Sequence, residues 1–149
     1  YDRYEVSAYA RPGHRCAHNL NYWTFGDYLG IGAGAHSKLS FPHRVLRQVR
    51  WREPRAYQDQ ALQGRAVSNE HEIGRADLPF EFALNALRLR EGVPLALFSE
   101  RTGLPLSALE KARGLGVARG LLVDEAARLQ ATPQGFDFLN DLQGLFLPA

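Results

Sequence analysis

The stretch DLPFEFALNALRLR, residues 77–90, decides the fold of the second half of the chain. Phe80, Leu84 and Leu87 recur at helical spacing, which predicts a helix over residues 78–90 with one apolar stripe. Asp77 is a residue type that caps helix N-termini, and Gly92 follows at a position typical of a helix end. The chain is therefore expected to become helical at Asp77.

The sequence beyond this helix predicts further short helices and a hairpin. Gly103 is expected to stop the second helix, and Ser107 with Glu110 forms a capping-box pattern that opens the third. The predicted elements are helices over 94–102, from Ser107 and from Pro133, and hairpin strands over 120–124 and 128–132. This order predicts a mainly helical, winged-helix-like domain over residues 77–149. The polar residues 63–76 before it are the predicted linker.

Residues 1–62 are richer in strands and loops, so the fold class of the whole chain is α+β. The predicted elements are strands over 4–10, 28–31 and 44–51, a short helix or turn over 17–25, and a helix from Pro54. Strand 4–10 has no neighbour close in sequence with which to pair. We therefore expect its partners upstream, in a larger protein of which this chain is a C-terminal piece. A small self-contained domain with an edge strand is the alternative.

Composition excludes several classes of protein. The chain has 149 residues, 45% of them hydrophobic, and 18 basic against 16 acidic side chains give a net charge of +2. So small an excess does not indicate binding to nucleic acid or to an anionic membrane. Cys16 is the single cysteine, and an intrachain disulfide needs two. No apolar run approaches the ~20 residues of a membrane span, so we expect a cytoplasmic protein.

The densest cluster of chemically capable side chains lies at residues 16–23, which read CAHNLNYW. In a helix, His18 and Tyr22 share one face, and Asn19 and Trp23 share another. A neutral imidazole beside large aromatic rings suits haem iron, so His18 is the candidate iron ligand. The alternative is structural, with the polar pair bonding to backbone and the aromatic pair filling a core. Cys16 is a conceivable second ligand, although free cysteines are usually small buried residues.

A glycine-rich loop follows the predicted strand 28–31. Such a loop offers backbone N–H donors and lets a cofactor approach the backbone closely. Close packing at a sheet end is the alternative, and the pattern is not a dinucleotide fingerprint. The candidate cofactor-proximal residues are Gly32, Ala33, Gly34, Ala35 and His36.

The winged-helix pattern raises nucleic-acid binding as another function. The third helix of that domain would present Lys111, Arg113 and Arg119 to a groove. Acidic Glu110 and Glu125 lie nearby in sequence, whereas a DNA-reading domain usually has a concentrated basic face. Nucleic acid is therefore not expected as the main partner.

Several motifs in order resemble the radical S-adenosylmethionine proteins related to oxygen-independent coproporphyrinogen III oxidase. The His-Asn-x-x-Tyr-Trp element at residues 18–23 is similar to the haem-chaperone branch, in which the histidine is implicated in haem binding. The resemblance covers nearly the whole chain and implies His18 as the haem contact. The motifs are YARPGH at 9–14, HNLNYW at 18–23, GDYLGIGAGAH at 26–36, FEF at 80–82 with NALRL at 85–89, and ATP at 131–133 with FLN at 138–140.

The resemblance also implies what lies outside this chain. The family binds a [4Fe–4S] cluster through three cysteines of an N-terminal barrel and leaves one iron for S-adenosylmethionine, whereas this chain has only Cys16. Residues 1–62 would then be the terminal strands of a partial (β/α) barrel, and the fragment alone would be inactive. Expected partners are haem or porphyrin, the missing barrel half, a haem-acceptor protein, and other copies through exposed strand faces. A true coproporphyrinogen oxidase, which decarboxylates propionate side chains, is the alternative within the family.

Overall fold

The computed structural model describes residues 1–149 as a mixed α/β protein with seven helices and three small sheets. The helices are α1 (Ala17–Trp23), α2 (Pro54–Leu62), α3 (Leu78–Ala86), α4 (Ala96–Thr102), α5 (Ser107–Ala118), α6 (Pro133–Asp137) and α7 (Leu139–Gly144). The strands are β1 (Asp2–Arg3), β2 (Tyr9–Ala10), β3 (His36–Phe41), β4 (Arg44–Arg50), β5 (Val67–Glu72), β6 (Val93–Pro94) and β7 (Arg128–Leu129). No helix combines the length and apolar character needed to cross a membrane.

Two compact units make up the chain. The first, unit 1, contains residues 1–25 and 75–149, and the second, unit 2, contains residues 26–74. The sequence instead suggested a division into residues 1–62, a linker over 63–76 and a domain over 77–149. That division stays a prediction about domains, but the predicted linker contains strand β5 in the structure.

Helix α3 lies at the centre of the core of unit 1. Its buried residues are Leu78, Phe82, Ala83 and Ala86, so the predicted stripe of Phe80, Leu84 and Leu87 is only partly right. Leu87 is fully buried, whereas Leu84 is 39% exposed. The predicted cap is also wrong, because the Asp77 side chain makes no capping hydrogen bond.

Aromatic side chains connect α3 to its neighbours in unit 1. The Phe82 ring packs edge-on against Phe25 at 5.7 Å and against Phe98 of α4 at 5.3 Å, measured between ring centroids. All three rings are at most 1% exposed. Edge-to-face pairs at these distances contribute about 0.5–1.5 kcal/mol beyond the burial of their apolar area. This aromatic row fixes the positions of the elements on either side of α3.

The remaining elements of unit 1 match the predicted order with local differences. Gly103 ends α4 in the left-handed region (φ 70°), as predicted, but α5 starts after Leu106 without the predicted capping box. The predicted hairpin is present in part, as a bridge between Leu122 and Ala131 with hydrogen bonds from the Val123 N–H to Gln130 and from the Thr132 N–H to Leu121, while β7 pairs with β6. The predicted final helix is two helices, α6 and α7, which meet at Phe138.

The first residues of unit 1 do not form the predicted strand over 4–10. Instead β1 pairs with β2, with Asp2 opposite Ala10 and Arg3 opposite Tyr9. A turn joins them, closed by a hydrogen bond from the Tyr4 N–H to the Ala8 carbonyl. The partner of the strand therefore lies within the chain, and the expectation of upstream strand partners loses this basis.

Unit 2 is a three-stranded antiparallel sheet in the order β3-β4-β5, joined by α2. Strand β4 and helix α2 confirm the predictions for residues 44–51 and from Pro54, and Glu53 caps α2 by accepting the Arg55 and Ala56 N–H groups. The predicted buried strand 28–31 is wrong. Only Tyr28 forms a bridge, to Lys38, and Leu29 and Ile31 are 61% and 81% exposed.

Candidate functional site

Helix α1 of unit 1 carries the four predicted haem-contact residues, which confirms the helical alternative for this segment. The helix ends where the Thr24 hydroxyl donates to the Leu20 carbonyl at 2.8 Å. Phe25 then adopts a positive φ of 57° and inserts its ring beside Phe82. The C-terminal end of α1 is thus anchored in the core, while its first turn, after exposed Cys16, faces solvent.

His18 and Tyr22 lie on one face of α1, as their spacing predicts. Their ring centroids are 4.7 Å apart and the ring planes are perpendicular. The His18 side chain is exposed and Tyr22 is half-buried. The Tyr22 ring therefore limits the orientations of the imidazole without covering it, and leaves a ring nitrogen accessible to a ligand from solvent.

Asn19 makes a contact inside the chain. Its amide Nδ2 donates to the Tyr4 hydroxyl at 3.4 Å, a long hydrogen bond to a buried side chain. The Arg15 guanidinium lies 5.6 Å from the centre of the same Tyr4 ring. Arg15 also forms a two-pronged ion pair with Glu91, with N–O distances of 2.8 and 2.5 Å. Arg15, just before α1, and Asn19, in its first turn, thus join the start of the helix to the body of unit 1.

Trp23 packs against Arg88, whose guanidinium carbon lies 4.2 Å from the centre of the indole ring. Arg88 Nη2 also donates to Glu5 at 3.2 Å, and Glu5 is only 1% exposed. The other carboxylate oxygen of Glu5 accepts the N–H and hydroxyl of Ser7, both at 2.9 Å. This Glu5–Arg88–Trp23 cluster was not predicted from the sequence, because nothing in the local pattern signals a partner 83 residues away.

The electrostatics of the cluster favour a charged Glu5. Burial raises the pKa of this carboxyl, but the Ser7 hydrogen bonds and the Arg88 charge outweigh burial and hold the pKa below its ordinary value. Arg88 also covers one face of the Trp23 ring, so that face is not available for stacking on a planar ligand. The indole Nε1 and Arg88 Nε are both buried without a hydrogen-bond partner.

The glycine-rich loop lies in unit 2, whereas α1 lies in unit 1. Gly32 and Gly34 have φ values of 108° and 70°, which favour glycine. The Gly32 N–H donates to the Tyr57 hydroxyl, and the Gly34 N–H to the Trp51 carbonyl at 2.8 Å. Ala35 N–H donates back to Gly32. These donors are therefore used within the chain, as expected of a packed loop, and its proximity to a cofactor stays a prediction.

The remaining candidate ligands do not converge. No group of three or more His, Cys, Asp or Glu side chains is placed to hold a metal ion. Cys16 and His18 are both exposed at the start of α1, and His36 is exposed at the start of β3. Among these side chains, His18 is the one that combines exposure with an aromatic neighbour.

Comparison with known proteins shows which family this sequence resembles. Residues 73–138 match the HemN C-terminal domain. Over 148 residues the chain is 45% identical to a protein named heme chaperone HemW from Escherichia coli. It is 43% identical over 148 residues to the protein of the same name from Haemophilus influenzae. Each match covers 99% of this chain and 38% of the relative, so the chain spans about two fifths of the relatives' length.

A solved structure has a similar fold. It is the coproporphyrinogen III oxidase HemN from Escherichia coli, described as a radical SAM enzyme, with a TM-score of 0.56 and 18% identity. The match covers 81% of this chain and 28% of the HemN chain. The chain thus belongs, as a C-terminal segment, to the HemN/HemW-like proteins.

Proposed function

We propose that this chain is the haem-contacting C-terminal segment of a HemW-like protein, with His18 as the iron ligand. The observation that carries the proposal is the exposed His18 imidazole, held edge-on by Tyr22 at 4.7 Å on a helix whose end is anchored in the core. Relatives that are 45% and 43% identical over nearly the whole chain carry the name heme chaperone. Haem is the cargo of such a protein.

The residues present suit this cargo chemically. Neutral imidazole is a common axial ligand of haem iron, and a half-exposed tyrosine offers an aromatic surface beside it. Tyr22 is the proposed direct neighbour of the macrocycle. Asn19 and Trp23 belong to the proposed site mainly through their contacts with Tyr4 and Arg88, which hold α1 in place.

The test is a titration of the protein with ferric haem, followed by the Soret band. His18→Ala is expected to remove the ligand-dependent shift of that band and to weaken binding roughly tenfold or more, since a coordinate bond is lost. His43→Ala is the matched control, because His43 is exposed and lies in unit 2. An unchanged Soret spectrum and affinity in His18→Ala would show that the imidazole is not the ligand.

We propose further features for the whole protein of which this segment is part. Residues 1–62 would complete a (β/α) barrel and residues 77–149 a winged-helix-like domain. The [4Fe–4S] cluster and S-adenosylmethionine would be held by sequence outside this chain, with the Gly32–His36 loop near the cofactor and a haem-acceptor protein as partner. Porphyrin product analysis on the whole protein tests the alternative, because a true coproporphyrinogen oxidase would release decarboxylated porphyrinogen.

A further inference from the structure

A second site lies in unit 2, at the end of strand β4. A cavity of about 730 Å³, broadly open to solvent, lies there. Its charged side chains are two arginines, Arg50 and Arg65, and Trp51 supplies an aromatic ring that is 38% exposed. The rest of the lining is Gln60, Gly64, Ala66 and Val67, so no carboxylate faces the cavity.

Backbone contacts hold the Trp51 ring in place. The indole Nε1 donates to the Arg65 carbonyl at 3.0 Å, and the Trp51 N–H donates to the Ala66 carbonyl at 3.3 Å. The Trp51 carbonyl accepts from Gly34 at 2.8 Å. An exposed aromatic ring fixed in this way is a ready surface for stacking, because little side-chain entropy is lost when a ligand binds.

The two arginines have no acidic partner. Arg50 Nε donates to the Gly30 carbonyl, and Arg65 donates to the side-chain oxygen of Gln63. Glu53, the acidic residue nearest to Arg50 in sequence, uses both carboxylate oxygens to accept backbone N–H groups at the start of α2. Uncompensated guanidinium groups around a cavity favour an anion, above all a planar carboxylate or a phosphate.

We propose that this cavity binds a planar aromatic ligand that carries an anionic group. The ring of the ligand stacks on Trp51, and its phosphate or carboxylate is held by Arg50 and Arg65. Nucleotides and tetrapyrroles share this chemistry, and separate arms of the experiment distinguish them. The proposal does not rest on His18, since this cavity lies in unit 2 and contains no histidine.

Isothermal titration of the protein with ATP and, separately, with metal-free protoporphyrin tests the proposal. The metal-free porphyrin has no iron for His18 to ligate, and variants of Trp51 and Arg65 distinguish binding in this cavity from binding beside Tyr22. We expect one of the two ligands to bind with a Kd below about 1 mM. Arg65→Gln and Trp51→Ala should each weaken that binding roughly tenfold, while Arg55→Gln, an exposed arginine outside the cavity, should change it less than about twofold.

Two further probes separate the ring from the charge. Adenosine keeps the ring without the anion, and tripolyphosphate keeps the anion without the ring. If ATP binds, each fragment should bind much more weakly than the whole ligand. No binding by either ATP or porphyrin would overturn the proposal, and so would binding that Arg65→Gln and Trp51→Ala leave unchanged.

Discussion

Replacing Arg88 by methionine isolates the energetic role of the Glu5–Arg88–Trp23 cluster. The substitution keeps an unbranched chain about as long as the aliphatic stem of arginine but leaves the carboxylate of Glu5, which is 1% exposed, without its cation. Removing one partner of a buried pair costs about 3–5 kcal/mol. Because the Arg88 side chain is 27% exposed and Glu5 keeps its two Ser7 hydrogen bonds, we expect about 3 kcal/mol.

Urea unfolding followed by Trp23 fluorescence measures this loss. Trp51 is the second tryptophan, so a Trp51→Phe background makes Trp23 the sole reporter. The double variant Glu5→Gln/Arg88→Met should recover most of the lost free energy of unfolding, because the buried charge is then absent. A loss below about 1 kcal/mol in Arg88→Met, or a double variant no more stable than Arg88→Met, would refute the reasoning.

The same cluster predicts a pH dependence whose sign follows from Glu5. The pKa of Glu5 is depressed in the folded protein. Its contribution to the free energy of unfolding is therefore fully present above the ordinary carboxyl pKa, and it is lost as the pH falls through the pKa of Glu5 in the folded protein. Without Arg88 the pKa of Glu5 in the folded protein should rise, because only the Ser7 hydrogen bonds then offset the effect of burial. The stability gap between the wild type and Arg88→Met should therefore narrow as the pH falls from about 7 to about 4.

Two further predictions concern the core of unit 1. Phe82→Ala should destabilise the protein by about 3–5 kcal/mol in urea unfolding, because it removes the middle ring of the Phe25–Phe82–Phe98 row. A destabilisation as small as that expected for replacing an exposed leucine by alanine would contradict this packing. Gly135→Ala should cost about 3 kcal/mol, because its methyl group would overlap the Leu121 carbonyl oxygen. Gly144→Ala, with open space around it, is the matched control and should be neutral or slightly stabilising in the same assay.

The parts of the fold that the sequence predicted correctly depend on short-range chemistry. Strand β4, helix α2 after Pro54 and the end of α4 at Gly103 each follow from residues within a few positions of one another. The same holds for the shared face of His18 and Tyr22, which needs only helical spacing. Local preference and the final structure agree at these positions, so the pattern alone was sufficient.

The elements that the sequence predicted wrongly depend instead on contacts between residues far apart in the chain. Residues 4–8 turn rather than extend, and Glu5 points to Arg88, 83 positions later in the chain. The buried face of α3 is set by Phe25 and Phe98, so Phe82 is buried where the spacing pointed to Leu84. A pattern read along one helix or strand does not contain these partners.

The predicted haem contact combines both kinds of determinant. Helix α1 is seven residues long and buries none of them, so it is too short to be stable alone and depends on contacts at its ends. Those contacts are the Phe25 ring in the core, Asn19 on Tyr4, and Trp23 under Arg88. The His18–Tyr22 pair is therefore local in sequence, but its position is set by Phe82 of α3, by Arg88 just after α3, and by Tyr4. Loss of Arg88 or Phe82 should consequently weaken haem binding in proportion to the fraction of molecules in which α1 is displaced, although neither side chain belongs to the His18–Tyr22 pair.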